Sequence, residues 1–173
     1  MVVERTDIQY RGHRVIANNT GAMVYLPSSK HPIEGESLEE NLAQARAFID
    51  AKYAQRIKDR RMPQIGTVDD YSEALASLKL GAHERAMLSA HCKADQRKLT
   101  ATELSESAGW DGVSPANSHY GRLGKRVAEH LSLDITGRDD LAWTAALATF
   151  DEETRQWEMH AELAEALNRL NMQ

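Results

Sequence analysis

A chain of 173 residues, 42% of them hydrophobic, has room for one domain or two small ones with buried cores. No apolar run approaches the ~18 residues of a membrane-spanning helix, and the opening MVVERTDIQY lacks the apolar stretch of a signal peptide. The net charge of -5 argues against bulk non-specific nucleic-acid binding, while the single cysteine, Cys92, excludes an internal disulfide and fits a reducing, cytoplasmic compartment.

The first segment reads as ββα. Ile8 to Ala17 (IQYRGHRVIA) alternates through Ile8 and Tyr10, then shifts at Gly12 towards Val15. Asn18-Asn19-Thr20-Gly21 is turn chemistry, and Ala22 to Leu26 is a second short strand. Pro27 and Pro32 bracket a polar loop. Ser37 is placed to cap a helix, with Glu39 and Glu40 in the first turn, where the helix dipole favours carboxylates. The helix is predicted to run to about Asp59 with the stripe Leu38, Leu42, Ala45, Ile49, Tyr53 and Ile57. A hairpin covered by a helix buries a small core; two strands alone are marginal.

The end of that helix holds the most basic local run: Arg56, Lys58, Arg60 and Arg61. Cations are favoured at a helix C-terminus, so a solvated helix end accounts for them. The other reading is contact with phosphate or with an acidic protein.

Met62 to Thr67 (MPQIGT) carries proline and glycine and marks the boundary. It divides the chain into a module at 1–61, a linker and connecting helix at 62–80, and a second domain at 81–173. Asp69 to Leu80 and His83 to about Ala94 read as helices, the latter with Ala86, Met87, Ala90 and Ala94 apolar. Cys92, beside His91, reads as a packed thiol, since no base and acid partner it as a nucleophile.

Leu99 to Leu131 (LTATELSESAGWDGVSPANSHYGRLGKRVAEHL) has the pattern of a helix-turn-helix. A short helix from Thr102 to Ala108 is broken by Gly109. Asp111 and Gly112 lie in the turn. A longer helix opens with Ser114 as N-cap and Pro115 at the first position. Its apolar stripe is Ala116, Tyr120, Leu123, Val127 and Leu131, and its polar face carries Asn117, Arg122, Lys125 and Arg126. That face suits DNA: Asn117 is positioned to read adenine, Arg122 or Arg126 to take guanine or phosphate, and Ser114 with the free amides beside it to hold a phosphate. The plainer reading is a solvated helix face, with Asn117 bonding the turn. Gly121 and Gly124 cost roughly 1 kcal/mol each in mid-helix and call for close approach of a neighbouring helix or of DNA. Trp110 and Tyr120 read as core.

Trp143 to Phe150 (WTAALATF) reads as a strand, Asp151 to Thr154 as a polar turn, Gln156 to His160 as a returning strand, and Ala161 to Leu170 as a closing helix. Three helices followed by a hairpin is the order of a winged helix, so the expected class is α+β. The supposed wing carries Arg155 against Asp151, Glu152 and Glu153, a poor phosphate binder and an argument for a protein partner. Residues 81–173 hold 10 Lys/Arg and 15 Asp/Glu, so DNA contact would come from a local basic face and be strongly salt-dependent.

Two stretches resemble known families. Ala116-Asn117-Ser118-His119-Tyr120-Gly121-Arg122-Leu123-Gly124 after LTATELSESAGW, and the tail WEMHAELAEALNRLN, resemble a domain of bacterial and phage proteins that accompanies HNH nuclease domains in restriction endonucleases. Ala161 stands where that pattern often has proline. The resemblance covers roughly 80–173 and implies a helix-turn-helix attached to defence or mobile-element functions. The segment YRGHRV…VYLPSSKHPIEGESLEE…AFIDA is similar to small ββα domains of phage and prophage proteins.

Catalytic machinery is not expected. His13, His31, His83, His91, His119, His130 and His160 are scattered, and His83 and His91 lie too far apart on one helix to share a metal ion. There is no nucleophile elbow and no phosphate-cradling glycine loop. The leading expectation is a non-enzymatic, cofactor-free DNA-binding protein of phage or prophage type with a regulatory role, acting on double-stranded DNA and compatible with a homodimer. The alternative is an inhibitor or adaptor that binds a host defence nuclease or its subunit, of anti-CRISPR or anti-restriction type.

Overall fold

A computed structural model describes residues 5–26, 29–137 and 139–173. The chain is α+β and divides into two compact units, one ending at Lys58 and the other starting at Asp59.

The first unit is an antiparallel meander followed by a helix. Strands β1 (Arg5–Tyr10), β2 (His13–Asn18), β3 (Gly21–Tyr25) and β4 (Lys30–Glu34) pair in sequence order, and α1 spans Leu38–Asp59. The expected ββα is therefore corrected to four strands and a helix. The stretch read as one strand, Ile8 to Ala17, folds back on itself at Arg11 and Gly12. Both have positive φ (45° and 79°), the conformation a two-residue hairpin turn demands. The stretch read as a loop around Pro32 is β4. It pairs only with β3, and an edge strand tolerates a residue without an N–H. Pro27 lies outside the described residues.

One sheet face supplies Val15, Ala17, Ala22 and Val24 to the core, and α1 answers with Ala45 and Ile49. Phe48 joins them at the edge and stacks on His31 with ring centroids 3.8 Å apart. The expected stripe fades towards its end, where Ile57 is 46% exposed. Asp50 of α1 ties the hairpin down, accepting hydrogen bonds from the Tyr10 hydroxyl at 2.9 Å and Arg11 Nε at 2.6 Å.

The second unit holds α2 (Val68–Ser77), α3 (Ala82–Lys93), β5 (Lys98–Thr100), α4 (Ala101–Ser107), α5 (Ser114–Leu131), α6 (Asp140–Trp143), β6 (Ala148–Asp151), β7 (Gln156–Met159) and α7 (Ala161–Arg169). The three strands form one antiparallel sheet with β7 in the centre. The connecting helix of 62–80 is part of this unit, with Ile65, Tyr71, Ala74, Leu75 and Leu80 buried in its core. One expectation is corrected here: the strand does not begin at Trp143. Asp139 caps α6 by accepting from the Ala142 amide at 2.7 Å, helical structure continues to Ala146, and only then does β6 start.

Charged and polar groups stitch the unit together. Arg60, 4% exposed at its side chain, pairs with Asp70 at 2.9 Å and donates to the Leu131 carbonyl at 2.8 Å. Asp70 also accepts from the Thr67 amide, completing a capping box on α2. Tyr71 donates to the Ala146 carbonyl at 2.6 Å and accepts from the Gly66 amide, and burial pushes its hydroxyl far above the ordinary tyrosine range.

At the centre lies His91, fully buried. Its Nε2 is 2.8 Å from the Trp157 carbonyl and its Nδ1 is 2.7 Å from the Tyr120 hydroxyl. A carbonyl only accepts, so Nε2 carries the hydrogen; in the neutral ring Nδ1 then accepts from Tyr120. The relay joins α3, α5 and β7. Burial pulls the His91 ring down to about 4, and burial lowers His160, whose Nε2 donates to the Ala145 carbonyl. For a base with a depressed folded value, the stability contributed is present above the unfolded value near 6.5. It is lost as pH falls through about 4, an effect of about 3 kcal/mol for His91. Urea unfolding between pH 7 and 4 is expected to show this loss, and His91→Gln to flatten the slope by that amount; equal slopes in both proteins would remove His91 as its source.

Candidate nucleic-acid interface

The polar face of α5 is set by how the helix is held. Its N-terminal turn is fastened to α4, where the buried Ser105 hydroxyl accepts from the Ala116 amide at 3.2 Å. Ser114 is the first helical residue rather than the cap. Val113 holds the capping position in helical geometry (φ -88°, ψ -27°), with no side-chain cap, so the expected role of Ser114 as N-cap is corrected. Trp110, in the turn, lies between His83 and His119, with ring centroids 4.6 and 4.4 Å away. Tyr120 is core as expected, whereas Trp110 is half-buried.

Close packing fixes the opposite side. A Cβ on Gly124 would collide with the Trp143 carbonyl. Of the two partners foreseen for the glycine, the observed one is a neighbouring helical segment of the same unit.

The expected contact residues separate into groups. Ser114, Arg122 and Lys125 are exposed and lie along one stripe with the half-buried Ser118 between them. Arg122 lies along its own helix, donating to the Ser118 carbonyl at 3.2 Å and hydroxyl at 3.0 Å. Lys125 sits 5.8 Å from the centre of the Trp143 ring and 3.9 Å from Glu129. Bonds of this kind at the surface are weak and exchange readily for a phosphate.

Arg126 is committed elsewhere. It pairs with Glu84 at 2.7 Å and donates to the Lys79 carbonyl at 2.8 Å, tying α5 to the start of α3. Asn117 is half-buried, and its Oδ1, closed to solvent, has no hydrogen-bond partner.

The basic run at the end of α1 crosses the boundary between the two units. Arg56 and Lys58 belong to the first unit, Arg60 and Arg61 to the second. Arg60 is in the buried pair with Asp70, and Arg61 binds Glu162 at 3.1 Å. Sequence could place these cations near a helix end but not the carboxylates that meet them, ten residues away for Arg60 and 101 for Arg61.

The hairpin β6–β7 carries Glu152, Glu153 and Arg155 exposed at its turn. Asp151 accepts from the Thr154 and Glu153 amides, and those bonds hold its carboxyl below the usual range. Cys92 is packed against α7, its thiol pushed up by burial. Among the described residues no group of three or more His, Cys, Asp and Glu is placed to hold a metal ion, and no helix is long and apolar enough to cross a membrane.

No protein-family model, no curated protein and no solved structure matches this chain.

The two kinds of arginine on α5 differ in what their loss does. Arg126→Ala is expected to cost about 1 kcal/mol or more, because Glu84 and the Lys79 carbonyl between α2 and α3 each lose a donor. Arg122→Ala and Lys125→Ala are expected to stay within about 0.5 kcal/mol of the parent. Thermal unfolding of the three variants checks this ranking.

Proposed function

We propose that this chain is a non-enzymatic DNA-binding protein that lays α5 in the major groove. The observation that carries the reading is the stripe Ser114, Ser118, Arg122 and Lys125 on an 18-residue helix whose other sides are occupied by its own unit. Such a helix is about 27 Å long and is presented as a ridge. Support comes also from the order of elements. Helix α3, strand β5, helices α4 and α5, the short α6 and then the ribbon β6–β7 resembles the order of a winged helix, with β5 paired to β7 of the ribbon.

Charge sets the terms of binding. With an overall charge of -5, affinity rests on a few cations, so it is modest on random DNA and falls with salt. Arg122 and Lys125 are the phosphate contacts in this reading, and Arg126 is their support.

A second reading, an inhibitor or adaptor of a defence nuclease, is favoured by Glu152 and Glu153 at the ribbon tip, which suit a basic protein surface. The two readings part on one experiment: fluorescence anisotropy with labelled duplex DNA at two salt concentrations. DNA binding predicts that Arg122→Ala with Lys125→Ala weakens affinity on all sequences and lowers the salt slope by about 2, roughly one per cation. It also predicts that Glu152→Gln with Glu153→Gln strengthens it. No binding at low salt, or an affinity that ignores the α5 pair, overturns the DNA reading.

A further inference from the structure

The sheet of the first unit has two unlike faces. One holds Val15, Ala17, Ala22 and Val24 against α1. The other carries the alternate residues of each strand. In an antiparallel sheet with one face on a core, the face that meets water is ordinarily polar. The rim strands obey this rule, with Arg5, Asp7 and Gln9 outward on β1 and Lys30 and Glu34 outward on β4. The two central strands do not. Their outward positions include Ile16, Met23 and Tyr25, half-buried side chains that belong to neither of the chain's hydrophobic cores. An apolar centre ringed by charges is the make-up of a contact surface.

The strand register says what that surface fits. One row across the sheet begins with Arg5 on β1 and ends with Glu34 on β4. The middle row runs Asp7, Ile16, Met23, Pro32. The third sets Arg14 beside Tyr25, with the Arg14 guanidinium 5.6 Å and the Lys30 ammonium 5.3 Å from the ring centre. Consider a second copy turned about a two-fold axis that lies between the faces and parallel to the strands. Its β4 then comes opposite β1 and its β3 opposite β2, each row facing itself. Arg5 meets the second copy's Glu34, Ile16 meets its Met23 and Arg14 meets its Tyr25, and every contact occurs twice. No residue directly faces a like charge. An axis across the strands instead sets Asp7 against Asp7. A nucleic-acid strand fits the face less well, because Asp7 and Glu34 offset two of the three cations Arg5, Arg14 and Lys30.

We infer that the outer face of the sheet β1–β4 is a dimerisation surface on which a second copy of this chain packs face to face, with Ile16 against Met23 at the centre and Arg5 against Glu34 at the corners. Stacked sheets lie about 10 Å apart, a gap that these side chains fill from both sides. The face measures roughly 14 by 20 Å, which places the contact at the small end of specific interfaces and the dimer in the micromolar range. The inference is independent of the DNA reading, since it uses no residue of the second unit.

The test is sedimentation velocity of the full chain, without DNA, from micromolar to several hundred micromolar concentration. A shift from monomer to dimer is expected across that range. Met23→Glu, a change at an outward position, is expected to weaken dimerisation at least tenfold while the circular dichroism stays that of the parent. Arg5→Glu and Glu34→Arg are each expected to weaken it at least fivefold, because each brings like charges together at both corners. An equimolar mixture of these two variants is expected to regain the parent's dimer, since every corner again joins opposite charges. Within one copy the two positions are three strand spacings apart, about 14 Å, so only contact between copies gives that rescue. If Met23→Glu does not fold, the mixture carries the test. A chain that stays monomeric at several hundred micromolar overturns the proposal. So does a dimer that Met23→Glu leaves intact, or a mixture that dimerises no better than either variant alone. A monomer that binds oligothymidylate, and loses it in Tyr25→Ala, overturns it as well and assigns the face to single-stranded nucleic acid.

Discussion

The second unit depends on one neutral imidazole. His91 stands where α3, α5 and β7 meet, and its two ring nitrogens bond the Trp157 carbonyl and the Tyr120 hydroxyl. The Trp157 carbonyl lies in the central strand of a three-stranded sheet, and the Tyr120 hydroxyl lies on the buried face of the longest helix in the unit. Remove the ring and two buried groups lose partners at once, each at a desolvation cost that an apolar replacement does not repay. A charged ring is no better, because Nδ1 would then present a hydrogen where it must accept one. The relay therefore fixes a protonation state as well as a geometry.

What α5 shows to solvent follows from how it is held. Ser105 pins its first turn, Gly124 lets the Trp143 segment press against its side, and Arg126 binds it to the entry of α3. Arg60 reaches the carbonyl at its far end. After these commitments only a narrow polar strip remains. This is why two of the three cations on one helix remain on that strip and the third does not: the difference lies in what comes near them, not in their spacing along the helix.

Much of the second unit was legible because its signals are local. The break at Gly109 and the 3-4 spacing of Ala116, Tyr120, Leu123, Val127 and Leu131 each act within a few residues. The errors fall where local signals mislead. Pro32 argues for a loop in isolation, yet an edge strand has no use for its missing N–H. Arg11-Gly12 passes for a slip in a strand because its positive dihedrals are invisible in a letter string. WTAALATF has residues that strands and helices share, and Asp139 decided for a helical start. At the candidate interface the exposed Arg122 and Lys125 were readable. The pairing of Arg60 with Asp70 and of Arg126 with Glu84, and the groove beside Asn117, were not, since each is made by the tertiary fold and not by spacing along one element.

The proline in β4 has a consequence for the protein as a population of molecules. A four-stranded open sheet has two rims, and each rim is a template on which another chain can lay a strand. On β4 the exposed positions are Lys30, Pro32 and Glu34, so an incoming strand meets two opposite charges and a residue that cannot donate. On β1 they are Arg5, Asp7 and Gln9. Both rims pair inward and are poor partners outward. The residue that hid a strand from the reading of the sequence also helps to keep that strand from seeding sheet growth between molecules.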